Sequence, residues 1–269
     1  LGLSDYNRER FESIIYSPYG IILVSGPTGS GKSTTLVAVL NQVTSDKVNV
    51  LTAEDPVEYT IEGIAQCQVN SEIGLTFARY LRSFLRQDPD IIMVGEIRDR
   101  ETAQLAIEAS LTGHLVFSTI HTNSASGAVA RLVNIGVDPF LLGTSLIGVV
   151  GQRLVRKLCN NCKIKIPMRE EVKRVASQIY PNRDDFVEYI PGNGCPECRG
   201  MGYRGRTGIH EVLIVDNKLR QLIAENASER EISAVAISGG MRTLYTDGVQ
   251  KVIDGVTSIE EIKRVAIEI

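Results

Sequence analysis

The chain has 269 residues, with 29 Lys and Arg against 32 Asp and Glu and a formal charge of −3. That balance argues against a strongly basic nucleic-acid binder, and 43% hydrophobic content excludes a disordered chain. No apolar run approaches the ~20 residues of a bilayer span, and the opening LGLSDYNRER lacks the apolar stretch of a signal peptide.

Residues 1–17 set Leu3, Phe11, Ile14 and Ile15 among charges, which predicts a short helix stopped at Ser17-Pro18. Residues 20–24 (GIILV) form a short apolar run before a glycine-rich turn, the pattern of a buried parallel strand. A helix over 32–42 and a second strand over 48–52 follow. A helix over 76–87 carries Phe77, Leu81, Phe84 and Leu85 on one stripe. Residues 90–94 (DIIMV) predict a third strand, 101–111 a helix, and 115–119 (LVFST) a fourth strand. Strands alternating with helices of this length predict an α/β fold with a mostly parallel sheet flanked by helices. After about residue 157 the pattern changes to two C-x-x-C pairs in Pro- and Gly-rich sequence, with a helix expected over 168–180. Beyond 216 the chain reads as helical, with Ser228/Glu231 and Ser258/Glu261 as capping boxes. The expected division is 1–157, a P-loop core; 158–215, a tetracysteine subdomain; and 216–269, a C-terminal helical region.

The turn after the first strand reads Gly26-Pro27-Thr28-Gly29-Ser30-Gly31-Lys32-Ser33, followed by Thr34. This is G-x-x-x-x-G-K-[ST] between a strand and a helix. Its glycines let successive backbone N–H groups curl round a phosphate at a helix N-terminus. Lys32 is expected on the β- and γ-phosphates of a nucleotide and Ser33 on Mg²⁺. Ligands of parallel sheets collect at the carboxyl ends of the strands, so residues following the other strands are candidates too. These are Glu54 and Glu58 in the acidic stretch after strand two, Glu96 after strand three, and His121 after strand four. His114 precedes strand four. The residues alone do not choose between Glu54 and Glu58 as the group that activates water.

Cys159, Cys162, Cys195 and Cys198 have the spacing of two ligand knuckles. Four thiolates favour a closed tetrahedral Zn²⁺ site of structural type over an Fe–S cluster. Cys67 stands apart and reads as a small apolar residue, and His210 as a residue packed in a strand.

GPTGSGKSTT, TAEDPVEY, GEIRDRETAQLA and TGHLVFSTIHT occur in that order. Together they resemble the Walker A, Asp box, Walker B and His box of the secretion ATPases of type II secretion and type IV pilus systems, and the resemblance runs along the whole chain. It implies a P-loop NTPase (RecA-like) fold and a Mg²⁺-dependent ATP hydrolase. Glu58 would be the general base, Glu96 the Walker B glutamate, and His114 and His121 the His-box residues, with Glu54 beside the nucleotide. It further implies a homohexameric cytoplasmic ring, peripheral at the inner membrane, with a membrane platform protein as partner and no nucleic acid. The tetracysteine resembles the assembly branch of the family, against the alternatives of a retraction or conjugation-type motor or a switch with little hydrolysis. The chain begins just before the core, so arginines contributed by the family's preceding domain carry no number here.

Overall fold

Short apolar runs bounded by turns become the inner strands of one sheet in the computed structural model, which describes residues 1–266. After α1 (Asp5–Ile15) come β1 (Gly20–Ser25), α2 (Lys32–Val43), β2 (Val50–Glu54), β3 (Ala65–Gln68), α3 (Phe77–Phe84), β4 (Ile91–Val94), α4 (Arg100–Leu111) and β5 (Leu115–Ile120). Then follow α5 (Ala125–Asn134), α6 (Pro139–Ser145), β6 (Leu146–Leu158), β7 (Ile164–Pro167), α7 (Glu170–Ile179), β8 (Val187–Ile190) and β9 (Tyr203–Ile214). The chain ends in α8 (Asn217–Ala224), α9 (Glu229–Ser238), α10 (Leu244–Ile253) and α11 (Ile259–Val265). The end of the expected C-terminal helical region, residues 267–269, lies outside the described residues.

The main sheet has the order β3-β2-β4-β5-β1-β6-β9. Every pairing from β3 through to β6 is parallel, as the alternating strands and helices predict. β1, β2, β4 and β5 are buried along their whole length, because helices cover both faces of such a sheet. Parallel register puts the carboxyl ends of these strands on one edge, and that edge carries the P-loop. Side chains of Thr76, Asp99, Ser124 and Asp138 cap α3, α4, α5 and α6 by accepting backbone N–H groups.

By packing, the chain forms two units, each assembled from separated stretches. The first holds residues 5–151 and 212–241, around a core that includes Leu23, Val94, Ala106, Val116, Leu219 and Ile232. The second holds residues 1–4, 152–211 and 242 onward, around Val155, Val172, Tyr245, Val252 and Ile262. In this second unit β7 and β8 pair antiparallel and α7 lies between them in sequence.

Three local departures from the expected elements have physical reasons. β2 begins two residues late, because Asn49 and Asp90 tie to each other: Asn49 N donates to Asp90 Oδ2 at 2.7 Å and Asp90 N to Asn49 O at 2.9 Å. The strand then runs on to Glu54, which it buries. β3 has no apolar run and is partly exposed. Its ladder with β2, Leu51 opposite Ala65 through Glu54 opposite Gln68, makes it a strand. The capping box forms at Ser228/Glu231 and not at Ser258/Glu261. Glu261 is drawn away by Arg156 and Arg264, and Ser258 Oγ pairs with the Tyr203 hydroxyl at 2.8 Å.

Candidate nucleotide and metal sites

β1 ends at Ser25, and the turn that follows has Gly26, Gly29 and Gly31 at φ 154°, 76° and 89°. The left-handed values at Gly29 and Gly31 are strained for any residue with a Cβ. They turn the chain into α2, whose first residue is Lys32. The Lys32 side chain is buried, and its ammonium donates to Gly26 O at 3.0 Å and Pro27 O at 3.1 Å. The cation is thus held inside the loop whose N–H groups would meet a phosphate. Ser33 and Thr34 are exposed at the helix start.

Two strands away, the exit of β4 is clamped from both sides. Gly95 N donates to Ala53 O at 2.8 Å, Thr119 Oγ1 donates to Gly95 O at 2.7 Å, and Ile97 N donates to Thr119 O at 2.9 Å. A Cβ on Gly95 would stand 3.2 Å from the Phe77 ring and 3.3 Å from Ala53 O, so the clamp has no slack there. It fixes Glu96, whose side chain is 11% exposed. One Glu96 oxygen pairs with Arg98, and the other faces His121 Nε2 at 3.4 Å. Asp99 caps α4 through Thr102 N at 2.8 Å.

Glu54, the last residue of β2, is buried. Its Oε1 accepts from Thr52 Oγ1 at 2.6 Å and Gln66 Nε2 at 2.8 Å. Glu58 lies in the loop beyond, after a cis Asp55–Pro56 peptide. Its carboxylate is exposed, with no hydrogen bond or ion pair among the described residues. The two candidate acids therefore differ in setting: Glu54 is buried with one oxygen engaged, and Glu58 is open to solvent.

The P-loop, Glu54, Glu96 and His121 thus share one sheet edge. His114 does not. It precedes β5, where Gly20 N at the start of β1 donates to its carbonyl at 3.1 Å. Six strand residues at ~3.3 Å each put it roughly 20 Å from the P-loop edge. Its ring is engaged locally, Nδ1 lying 2.8 Å from Ala109 O and 3.1 Å from Thr112 Oγ1. His114 thus lies at the end of the sheet away from the P-loop.

Thr52, Gln66 and Thr119 are site residues that sequence reasoning did not single out. A faint signal existed for one of them. In AQCQ, a two-residue period puts Gln66 and Gln68 on one face and Cys67 on the other, and Cys67 does pack against the core.

In the second unit the four Sγ atoms of Cys159, Cys162, Cys195 and Cys198 lie within 4.8 Å of one another. Three of their separations are 3.7, 3.8 and 3.7 Å. Four sulfurs each ~2.3 Å from a tetrahedral metal would stand about 3.8 Å apart, while a disulfide needs about 2.05 Å. The cluster therefore fits a metal and not a pair of disulfides. Burial opposes ionisation of Cys198, but N–H groups of Cys195 and Gly202 and the neighbouring thiols outweigh it and bring the pKa down to about 6. Burial and the adjoining thiols push Cys162 up to about 12. The knuckles close backbone against backbone: a Cβ on Gly194 (φ +97°) would meet Gly200 Cα at 2.4 Å. His210, on β9, is fully buried, and burial, then the Lys251 charge, lower its pKa to about 3.

A profile of the family described as "Type II/IV secretion system protein" matches residues 1–264. The chain is 51% identical over its whole length to the type II secretion system ATPase E of Vibrio cholerae, covering 52% of that protein. It is 49% identical over its whole length to the type IV pilus assembly ATPase PilB of Thermus thermophilus, covering 30% of it. It thus spans about half the length, or less, of these curated relatives. Among solved structures, the pilus retraction motor PilT with bound ADP superposes with TM-score 0.72 at 30% identity, covering all of this chain and 66% of that one. The Legionella pneumophila ATPase DotB superposes with TM-score 0.69 at 26% identity, over 98% of this chain and 63% of that one. No described helix is long and apolar enough to cross a membrane.

Proposed function

Since this chain belongs to the Type II/IV secretion system protein family, we propose that it binds Mg²⁺-ATP at the P-loop edge and hydrolyses it as part of a ring-shaped motor. The observation that carries the reading is the meeting of the P-loop, Glu54, Glu96 and His121 at one edge of a parallel sheet. Phosphoryl transfer needs little covalent chemistry from the protein, and catalysis is positioning and charge stabilisation. Lys32 and the backbone N–H groups of residues 28–34 would hold the phosphates, with Ser33 as the magnesium ligand. Magnesium, when bound, would neutralise charge on the phosphate oxygens. Glu58, exposed and without a partner among the described residues, can accept the proton of the attacking water. Glu54 is buried at the end of β2, with one oxygen already accepting from Thr52 and Gln66, which makes it the poorer candidate. Glu96 and His121 would face the γ-phosphate side, with Arg98 and His121 fixing the carboxylate. His114 has no place in this reading.

The tetracysteine would hold Zn²⁺ as a closed structural site. It supports an assembly motor for pilins or pseudopilins over a retraction motor, as do the names of the curated relatives. On this reading the chain is a cytoplasmic homohexamer subunit that docks on an inner-membrane platform protein. The test is steady-state ATP turnover with and without Mg²⁺, combined with size-exclusion light scattering, on this chain and on the whole protein. Mg²⁺-dependent phosphate release that rises with ring formation is expected. A ring that binds nucleotide without turning it over would favour the switch alternative.

A further inference from the structure

We infer that Gln66 is a positioning residue for the acidic loop that carries Glu58. The inference rests on the functional reading above, in which Glu58 activates water. Residues 55–60 leave the sheet after Glu54, and Pro56 restricts the backbone only at the start of this stretch. Gln66, on the neighbouring β3, supplies the hold with one side-chain amide. Its Nε2 donates to Glu54 Oε1 at 2.8 Å and to Tyr59 O at 2.9 Å. Its Oε1 accepts from Ile61 N at 2.7 Å. The start of the loop and its far end are thus tied to the same three-atom plane, and Glu58 lies between the ties, one residue before Tyr59.

The partners also fix which way the amide points. Turned over, its oxygen would face a carboxylate and a carbonyl, and its nitrogen would face an N–H, so all three contacts would be repulsive. Both amide hydrogens are in use. No smaller, apolar or singly functional side chain reproduces the set. A second tie between this loop and β3 is weak, Val57 N to Gln68 Oε1 at 3.4 Å. Moving a reacting group by about 1 Å can slow a reaction about 10²-fold, so the tie belongs to the reaction and not to nucleotide affinity, which the P-loop supplies.

The experiment is a double-mutant cycle in the whole protein, with turnover and affinity for a non-hydrolysable ATP analogue measured separately. Gln66→Met keeps the length and removes all three contacts. Gln66→Glu is isosteric and keeps the acceptor for Ile61, but sets an oxygen against the Glu54 carboxylate and Tyr59 O, so unchanged analogue affinity and melting temperature serve as the folding control for both variants. We expect each to lower kcat about tenfold or more, change analogue affinity less than about twofold, and add nothing in a Glu58→Gln background. Wild-type kcat in both Gln66 variants, equal slowing with and without Glu58, or lost analogue affinity overturns the role of Gln66. Wild-type turnover in Glu58→Gln alone overturns the assignment of the base, and the inference with it, so the two failures are told apart by that single variant.

Discussion

Lys32 is buried against the carbonyls of Gly26 and Pro27, so on the proposed reading its truncation would remove a charge-assisted phosphate contact along with the packing of its stem. Lys32→Ala should weaken ATP binding by roughly 1.5–3 kcal/mol, about ten- to a hundred-fold. Equilibrium binding of a fluorescent nucleotide checks this, and unchanged affinity would remove the P-loop from the site. For the acids, Glu58→Gln should leave binding intact and slow hydrolysis about 10²–10⁴-fold. Glu54→Gln keeps a buried hydrogen-bonding group and should be milder. The reverse ranking in single-turnover assays would exchange their roles. His210 gives a residue-scale pH effect. Its folded-state pKa is about 3, below the ~6.5 of an unfolded histidine. Above pH 6.5 neither state binds the proton. As the pH falls below 6.5 the unfolded chain takes it up first, and stability drops by up to about 1.4 kcal/mol per pH unit until pH nears 3. The difference in melting temperature between pH 7 and pH 5 should therefore be larger in the native chain than in His210→Phe.

At the scale of elements, the two serine-glutamate boxes show what a sequence pattern can and cannot carry. Ser228 Oγ accepts from Glu231 N at 3.3 Å, and Glu231 Oε2 accepts from Ser228 N at 2.9 Å. Ser228→Ala should cost about 1 kcal/mol of stability in urea unfolding. Ser258→Ala should remove the Tyr203 contact and leave the start of α11 unaffected, since no side-chain cap exists there. Equal loss of α11 protection in hydrogen exchange would contradict this. The box at 258 was legible as four residues. The buried Glu261 between Arg156 and Arg264 was not, because those partners lie 105 and 3 residues away and only the folded chain brings Arg156 in. The same holds for β3. Runs such as GIILV and LVFST announce buried strands by composition, and the P-loop announces itself by spacing. β3 exists because β2 offers it a ladder, and sequence-local signals do not report a partner strand. Gln66 was hidden for that reason, while Glu54, Glu96 and His121 were found because they directly follow recognisable strands. His114 entered as a candidate only through the resemblance, and its place before β5 was legible in the sequence.

On the scale of the whole molecule, a chain-order division at 157 and 215 follows the change in composition, while packing follows the apolar faces. α8 and α9 bury Leu219, Ile223 and Ile232 in the core that also holds β1 and β5, and α10 and α11 bury Val252 and Ile262 with the unit that holds the cysteines. The metal should accordingly matter to residues far from the knuckles in sequence. Cys159 N donates to Gly202 O at 3.0 Å and Leu158 N to Val256 O at 2.8 Å, so the first knuckle, the second knuckle and the turn after α10 are joined by backbone. On the proposed metal reading, removing one thiolate would leave an incomplete tetrahedral shell, and a small core would not replace the metal's contribution to folding. If the site holds zinc as proposed, the native chain should carry one Zn²⁺ by elemental analysis, and Cys195→Ser should lose it and raise hydrogen exchange in residues 242–266 as well as around the cysteines. Residues 212–241 and the P-loop should keep their protection, and nucleotide affinity should stay within about twofold. Cys67→Ser, on β3, should leave the metal content unchanged. A native chain with no metal and with disulfides among these four cysteines would defeat the metal assignment, and with it the preference for an assembly motor. Uniform loosening of the whole chain in Cys195→Ser would instead show that the two units do not fold as separate bodies.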